Sequence, residues 1–505
     1  MIFLILSANY VANELLNEFG KITPSDVPVG NKLLLEHQIS IIKKNNPDST
    51  IFVSKPTKNN FNFSQLNVTT IEIDPNLNLI DSFFLTIKKL NELTNLDSGF
   101  QVMFGDGHYS EIINSTNSFV TISESKYNYE WGHLYDTDLI NLKHSTNKLL
   151  NFQIFTGYFQ INNFRILEEC LKVSRDIINC LELYLEQDSN TELINYDFWL
   201  DFGHLNSYFS SKKIFSTERY FNEVIIKGEF LTKKSYLSNK IINEYHWFKN
   251  LPENLKIFTP RVNNLKTQNS YASYDIEYKP LPTLSELFTF GNIPIWKWKH
   301  IFDNSFNLLN KFKEHHPTSL DKKQVLSSLY ITKTKKRLEQ IKSPKKTDIV
   351  HFCDLALSKI KEEDIILGVM HGDFCFSNLL WDSRSEKIIL IDPRGAIDSE
   401  NLIPQIYGDI VYDLAKFLHS SFGFYDFIVS DRIFSIKDFY FLEKKYEELN
   451  NYIFSRIENE FGINRVSLIS RLIILFSTMI PLHGDKPLRQ EKFIINIKRL
   501  KEKIL

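Results

Sequence analysis

Near Ser216 the hydrophobic rhythm of this 505-residue chain changes, and no single layered architecture fits both sides of the change. Before it, short apolar runs (Ile2 to Leu6, Thr50 to Val53, Gln101 to Phe104, Phe155 to Ile161) alternate with stretches of helical spacing (Leu33 to Lys43, Leu77 to Leu93). That alternation predicts an α/β layer structure. After it, strand-like runs (Tyr220 to Ile226, Phe230 to Thr232, Tyr274 to Glu277) enclose one helix, Asn239 to Lys249. Long helical segments follow, Ile295 to Glu314 and Val325 to Ile341, then a strand-rich patch from Ile365 to Leu390 and further helices. A chain this long exceeds one hydrophobic core. The expected division is an α/β domain over residues 1–212 and an α+β domain over 213–505. Within the latter, a small sheet lobe (213–280) precedes a helical lobe (281–505).

Lysine plus arginine (59) nearly balances aspartate plus glutamate (61), so no chain-wide field draws the protein to nucleic acid or anionic lipid. Any phosphate must be met by local groups. Cys170, Cys180, Cys353 and Cys375 form no CxxC pair and no metal-ligand spacing, which predicts reduced core thiols in a cytoplasmic setting. The apolar opening from Met1 to Leu6 lacks a basic leader and is too short for a secretory core, so a first buried strand is expected. No later apolar run is expected to span a membrane.

The most specific local pattern is His371-Gly372-Asp373, then Asn378, then the apolar run Ile389-Leu390-Ile391 ending in Asp392-Pro393-Arg394-Gly395. Moving a γ-phosphoryl group to a hydroxyl requires a carboxylate to take the hydroxyl proton and hard oxygen ligands for a metal that neutralises the phosphates. Asp373 suits the first task. Asn378 and Asp392 suit the second, and His371 is expected to order the loop by hydrogen bonding. Taken alone, His-Gly-Asp is an ordinary turn. The tripeptide indeed recurs at His483-Gly484-Asp485, but with Gln490 in place of the asparagine and no following Ile-Asp-Pro-Arg strand, so that copy is read as structural.

The first copy, with Asn378 and Asp392, resembles the catalytic loop and metal-binding segment of the aminoglycoside phosphotransferase and choline kinase superfamily. The likeness extends over about Ser216 to Leu505. It implies a bilobal kinase-like fold, ATP and Mg2+ as cofactors, and a small-molecule acceptor. It further implies a strand lysine that reaches the α- and β-phosphates, held by a helix glutamate. Lys233 with Glu244 is the preferred pair, and Lys227 and Lys234 remain alternatives. Ile276-Glu277-Tyr278 resembles the hinge that meets the adenine. No Gly-rich phosphate loop is visible beside the Arg219 to Val224 run. In Tyr407-Gly408-Asp409 to Asp413, a helix cap is expected of Asp413 and an acceptor-facing position is open to Asp409.

Four pieces of the first half resemble sugar-nucleotide-forming nucleotidyltransferases: Val27 to Ile39, Phe104-Gly105-Asp106-Gly107, Gly157 to Asn162, and Phe198 to Gly203. The resemblance implies a Rossmann-like, glycosyltransferase-A-like domain in which Asp106 and Asp201 hold magnesium against a second nucleoside triphosphate, CTP or another. Each aspartate followed by a turn has a bland alternative as an ordinary turn residue. The chain also departs from the pattern. After the first strand it reads Leu6-Ser7-Ala8-Asn9 and on to Glu14 and Glu18, without the Gly-rich loop and its basic residue, and Pro24 and Ser25 stand where a lysine is expected. Lys21 and Lys32 are candidate substitutes. An active site and a degenerate binding or scaffolding domain are both compatible with these residues.

Together the two resemblances imply a bacterial protein of capsule or surface-polysaccharide precursor synthesis, associating with other enzymes of that assembly. It would phosphorylate a small alcohol, amino alcohol or sugar. The alternatives are a bifunctional kinase and nucleotidyltransferase, and a non-catalytic nucleotide-binding scaffold.

Overall fold

The structure is a computed structural model that describes residues 1–57, 66–124, 153–217, 224–227, 229–236, 238–268, 271–317, 320–394 and 406–505. The Arg219 to Glu223 part of the expected strands, and Gly395, lie outside these residues. The chain forms two compact units, one of Met1–Phe215 with Phe290–Asn292, the other of Ser216–Thr289 with Ile293–Leu505.

In chain order the strands of the first unit are β1 (Ile2–Leu6), β2 (Pro28–Val29), β3 (Lys32–Leu33), β4 (Thr50–Pro56), β5 (Thr69–Ile73), β6 (Phe100–Phe104), β7 (Gly107–Tyr109), β8 (Phe119–Glu124), β9 (Gln153–Ile161), β10 (Glu192–Asn195) and β11 (Trp199–Asp201). Seven of them build one sheet in the order β10-β8-β9-β6-β1-β4-β5. Strands β6, β1, β4 and β5 run parallel, and β9 lies antiparallel between β6 and β8. A central parallel strand is covered on both faces, which explains the unbroken apolar run of β1. Leu4 and Leu6 enter one core with Phe83, Leu90 and Phe159. Phe3 and Ile5 enter the opposite core with Leu35, Val53 and Tyr158, as the two-residue period of a strand requires. Because β1 pairs with β4 on one side and β6 on the other, the chain reverses its winding direction at β1. The carboxyl ends of these three strands border the crevice where open α/β sheets bind ligands.

The second unit begins with a four-stranded antiparallel sheet of β12 (Val224–Lys227), β13 (Phe230–Ser235), β14 (Val262–Gln268) and β15 (Tyr271–Glu277), ordered β12-β13-β15-β14. Packed on it is the helix Ser238–Asn250. Two short ladders follow among helices: β16 (Leu367–Val369) pairs β19 (Tyr407–Asp409), and β17 (Leu379–Asp382) pairs β18 (Lys387–Leu390). The predicted Val325 to Ile341 helix is continuous but carries a π-helical stretch, Leu326–Thr332, between two α-helical pieces. Such wide turns often mark functional sites.

One described helix, Arg465–His483, is long and apolar enough to cross a membrane, with a mean hydropathy of 1.6, contrary to expectation. Its packing supplies another cause for that composition. The helix lies among Lys346–Leu357, Ile410–Ser421 and Pro487–Lys501, and buries Arg471 against Tyr330 and Asp409.

Candidate active site

In the second unit, residues from four separate segments meet around Asp373. The loop that carries it starts with β16 and turns sharply at Gly372, whose φ of +77° suits glycine. The His371 ring is wholly buried and fixes this turn. Its Nδ1 accepts from the Asp373 N–H at 3.2 Å, so Nε2 carries the proton and donates to the Ile391 carbonyl at 3.0 Å. Burial lowers the ring's pKa to about 4. From the other side, the Asp413 carboxylate accepts the N–H groups of His371 at 2.6 Å and Gly372 at 2.8 Å. The Trp247 indole donates to the Met370 carbonyl at 2.8 Å, tying the Ser238–Asn250 helix to the same loop.

Asn378 and Asp392 are brought together by the β17/β18 ladder. Leu379 pairs with Leu390, and the Ile391 N–H donates to the Asn378 carbonyl at 3.1 Å, which places Asp392 one residue beyond the segment facing Asn378. The Asn378 amide donates to the Asp373 carbonyl at 2.9 Å, and its oxygen, which accepts from the Ser377 hydroxyl at 3.4 Å, keeps a second lone pair for another partner. Asp392 adopts φ of +55°, a conformation costly for a residue with a Cβ and typical of sites where geometry is imposed by function. Its side chain is 48% exposed.

Lys233 joins the sheet to this loop. Its ammonium donates to Glu244 Oε1 at 2.5 Å and to Asp392 Oδ1 at 2.6 Å. The Tyr274 hydroxyl donates to the same Glu244 oxygen at 2.5 Å. Burial would lower the lysine's pKa, but Asp392 and Glu244 outweigh it and hold it charged. Of the two alternatives, Lys234 lies 4.4 Å from the Tyr271 ring centroid, and the side chain of Lys227 lies outside the described residues. Asn378 and Asp392 carry hard oxygens on neighbouring segments, a donor chemistry that fits magnesium completed by water and phosphate oxygens. Among the described residues no group of three His, Cys, Asp or Glu side chains is arranged to hold a metal.

Asp373 is flanked by cations that the sequence did not single out. Lys416 Nζ stands 3.0 Å from Oδ1 and Arg394 Nε 3.7 Å from Oδ2. Burial alone would raise this carboxyl, but Lys416 and Arg394 hold it well below the usual carboxylate range. Asp373 is therefore ionised at any physiological pH.

Three expectations change here. Asp409, not Asp413, caps the Ile410–Ser421 helix, accepting the Val411 N–H at 3.0 Å. Asp409 also accepts from Tyr330 and the Ile366 N–H and is wholly buried, so it does not face an acceptor. Asp413 instead anchors the loop that carries Asp373. At the supposed hinge, the Glu277 side chain is held by Arg261 and Lys279, which bring its pKa down to about 2 although burial opposes them. The N–H groups of Glu277 and Tyr278 already donate to the carbonyls of Arg261 and Glu229. Adenine contact through those two N–H groups would require the sheet edge to give up these bonds.

In the first unit, Asp106 and Asp201 meet at the carboxyl end of β6. Asp201 pairs with Gly107 across β7 and β11, and the Phe202 N–H donates to the Asp106 carbonyl at 2.8 Å. A Cβ on Gly203 would stand 2.6 Å from Asp106 Oδ2 and 3.2 Å from Asp201 Oδ1, so both carboxylates border one small space that only glycine leaves open. Burial and the charge of Asp201 push Asp106 up to about 6. Asp201 also accepts from the Gly203 N–H at 3.0 Å, from His204 at 3.0 Å and from Ser207. Lys21 lies over the Tyr10 ring and Lys32 is exposed on β3. Lys55, near the end of β4, is a buried cation beside the segment that follows β1. Lys55 is 2% exposed and bonds to Thr23 Oγ1 (2.8 Å), Ser25 Oγ (2.7 Å) and Asp26 Oδ1 (2.8 Å). Those three bonds use all three ammonium donors.

No family model matches the chain, and no curated protein matches it. Among solved structures, it is similar to a nucleoside-diphosphate-sugar pyrophosphorylase from Vibrio cholerae (12% identity, 42% of this chain, 100% of that one, TM-score 0.34). It is similar to an inositol-1-phosphate CTP transferase from T. maritima (11%, 43% and 96%, TM-score 0.30). A thermostable mutant of an aminoglycoside phosphotransferase is similar at 10% identity, over 57% of this chain and 97% of that one, with a TM-score of 0.32. At these TM-scores the likenesses fix neither family nor activity.

His371 gives a pH dependence with a definite sign. The folded chain keeps it neutral down to about pH 4, whereas the unfolded chain takes up the proton near the ordinary histidine value of about 6.5. Below pH 6.5 protonation therefore favours the unfolded state, and the contribution is lost as pH falls toward 4. The difference corresponds to about 3 kcal/mol. Urea midpoints at pH 7, 5.5 and 4.5 should fall accordingly, with a shallower fall in His371→Gln. Equal slopes in both proteins would show that His371 does not carry the effect.

Proposed function

We infer that the second unit is an ATP-dependent phosphotransferase that acts on the hydroxyl of a small molecule. The observation that carries this reading is the convergence of Lys233, Asp373, Asn378 and Asp392, from one strand, one loop and the end of a hairpin. In the reaction, the acceptor oxygen bonds to the γ-phosphorus as the bond to the β,γ-bridging oxygen breaks, and ADP leaves with that electron pair. Asp373 Oδ2 or Oδ1 receives the hydroxyl proton. Lys233 leaves Asp392 to pair the α- and β-phosphates, still braced by Glu244. Asn378 and Asp392 would hold magnesium, which would supply neutralisation of the phosphate charge. Because the base is already ionised, its work is to orient the hydroxyl and accept a proton late, as a loose phosphoryl-transfer transition state allows.

The acceptor class is a small alcohol, amino alcohol or sugar, and the product enters bacterial surface-polysaccharide precursor synthesis in the cytoplasm, in association with other enzymes of that assembly. This wider setting rests on the two sequence resemblances. A second reading, nucleotidyl transfer from CTP or another triphosphate in the first unit, is favoured by the Asp106 and Asp201 pair around Gly203. The engagement of all three Lys55 donors within the fold weighs against it.

Calorimetry of ATP binding with and without magnesium tests the principal reading. Wild type should bind ATP at least about tenfold more tightly with magnesium, and Asp392→Ala should lose that gain. Magnesium-independent binding in both proteins would remove Asp392 from the metal site and the reading with it.

A further inference from the structure

The ground around Asp373 is more basic than a neutral or cationic acceptor requires. The two carboxylate oxygens face different cations: Arg394, next to the Asp392 strand end, on Oδ2, and Lys416, from the Ile410–Ser421 helix, on Oδ1. One turn before Lys416 on the same helix, Tyr412 meets a further cation. Lys333, at the start of the Lys333–Glu339 helix, donates to the Tyr412 hydroxyl at 3.1 Å and lies 4.9 Å from its ring centroid. Burial would raise the Tyr412 phenol, yet the charges of Lys333 and Lys416 bring it below its ordinary range.

Asp373 pairs with Lys416 and Arg394, and Asp392 also acts on Arg394. Asp413 is pushed up to about 8 by burial, and Asp409 and Asp426 are raised by burial as well. Lys333 forms no ion pair among the described residues; its contacts there are with Tyr412. A cluster of like charges beside a partly open carboxylate repels itself and attracts an anion. The triphosphate is met from the Lys233 and Asp392 side, which leaves the Lys416, Tyr412 and Lys333 side for the other substrate.

We propose that the phosphoryl acceptor is itself an anion, a hydroxyl compound bearing a carboxylate or phosphate that pairs with Lys333 and Lys416 while its hydroxyl meets Asp373. The proposal rests on the phosphotransferase reading and narrows its acceptor class, setting aside amino alcohols and aminoglycosides, whose positive charge the same ground would repel.

The test uses the full chain with ATP, magnesium and size-matched acceptors: glycerol, D-glycerate and glycerol 3-phosphate; glucose, glucuronate and glucose 6-phosphate; ethanolamine and choline. Within a set the anionic member should show at least about tenfold higher kcat/KM, and the two anion types separate carboxylate from phosphate. Lys333→Glu should raise the KM of that member at least about tenfold while leaving the KM for ATP within about threefold. Preference for a neutral or cationic member, or an unchanged anion preference in Lys333→Glu, overturns the proposal. Should no acceptor turn over, binding of inorganic phosphate to the complex with magnesium and a non-hydrolysable ATP analogue decides it. Wild type should bind phosphate and Lys333→Glu should not, and equal binding refutes the role of Lys333. Failure of the analogue itself to bind refutes the phosphotransferase reading instead.

Discussion

Asp373→Asn will lower phosphoryl transfer about a thousandfold, within the range that loss of a positioned general base produces. Asparagine keeps the size of the side chain but cannot take the hydroxyl proton. It also cancels the negative charge that Lys416 and Arg394 face at 3.0 and 3.7 Å. Affinity for magnesium and ATP should change little, because Lys233, Asn378 and Asp392 are untouched. The predicted signature is thus a collapse of kcat with the KM for ATP within about threefold of wild type. Measuring ADP release with a turned-over acceptor, beside calorimetry of ATP binding, checks both halves. Wild-type turnover in Asp373→Asn would remove this residue from the chemistry.

The second large effect is structural in origin. Asp413→Ala leaves the buried N–H groups of His371 and Gly372 without their acceptor. Each unsatisfied donor costs about 1–3 kcal/mol, so a loss of about 2–6 kcal/mol is expected. Part is returned because alanine has no carboxyl to desolvate, and the raised pKa of Asp413, about 8, shows that its burial opposes the charged form. Thermal unfolding should show a fall of several degrees, and Asp413→Asn, which keeps one oxygen, should fall by less. Because the same two N–H groups set the turn before Asp373, kcat should drop even at temperatures where the variant stays folded. An unchanged midpoint together with unchanged kcat would show that the loop holds its shape without Asp413.

What was legible in the sequence was local. Strand β1 was visible to its exact ends because burial on both faces writes a continuous apolar run. Asp373, Asn378 and Asp392 stand out because their chemistry is carried by short spacings within one hairpin and its loop. The Lys233 and Glu244 pair was also within reach, since a strand and the next helix set its spacing. By contrast, Lys416 and Lys333 look like ordinary surface charges of two helices, and only tertiary packing brings them to Asp373 and Tyr412. The roles of Asp409 and Asp413 were misread for a similar reason. Both begin the same helix, and a sequence shows that one should cap it but not which carboxylate the loop will seize. Lys55 was passed over because it ends an apolar strand, where a lysine looks like the edge of the run and not like a fully bonded buried cation.

The Ile410–Ser421 helix grips the catalytic loop at three places. Asp413 holds the N–H groups of His371 and Gly372, Lys416 meets the Asp373 side chain, and Ser420 accepts the Phe376 N–H at 3.1 Å. Spaced three and four residues apart, they form one stripe along the helix. A substitution that tilts or slides this helix to welcome a differently shaped substrate must therefore disturb the loop as well. Evolutionary change of specificity through this helix would be gradual and paired with compensating changes, whereas the Lys333–Glu339 helix, outside the stripe, is freer to diverge.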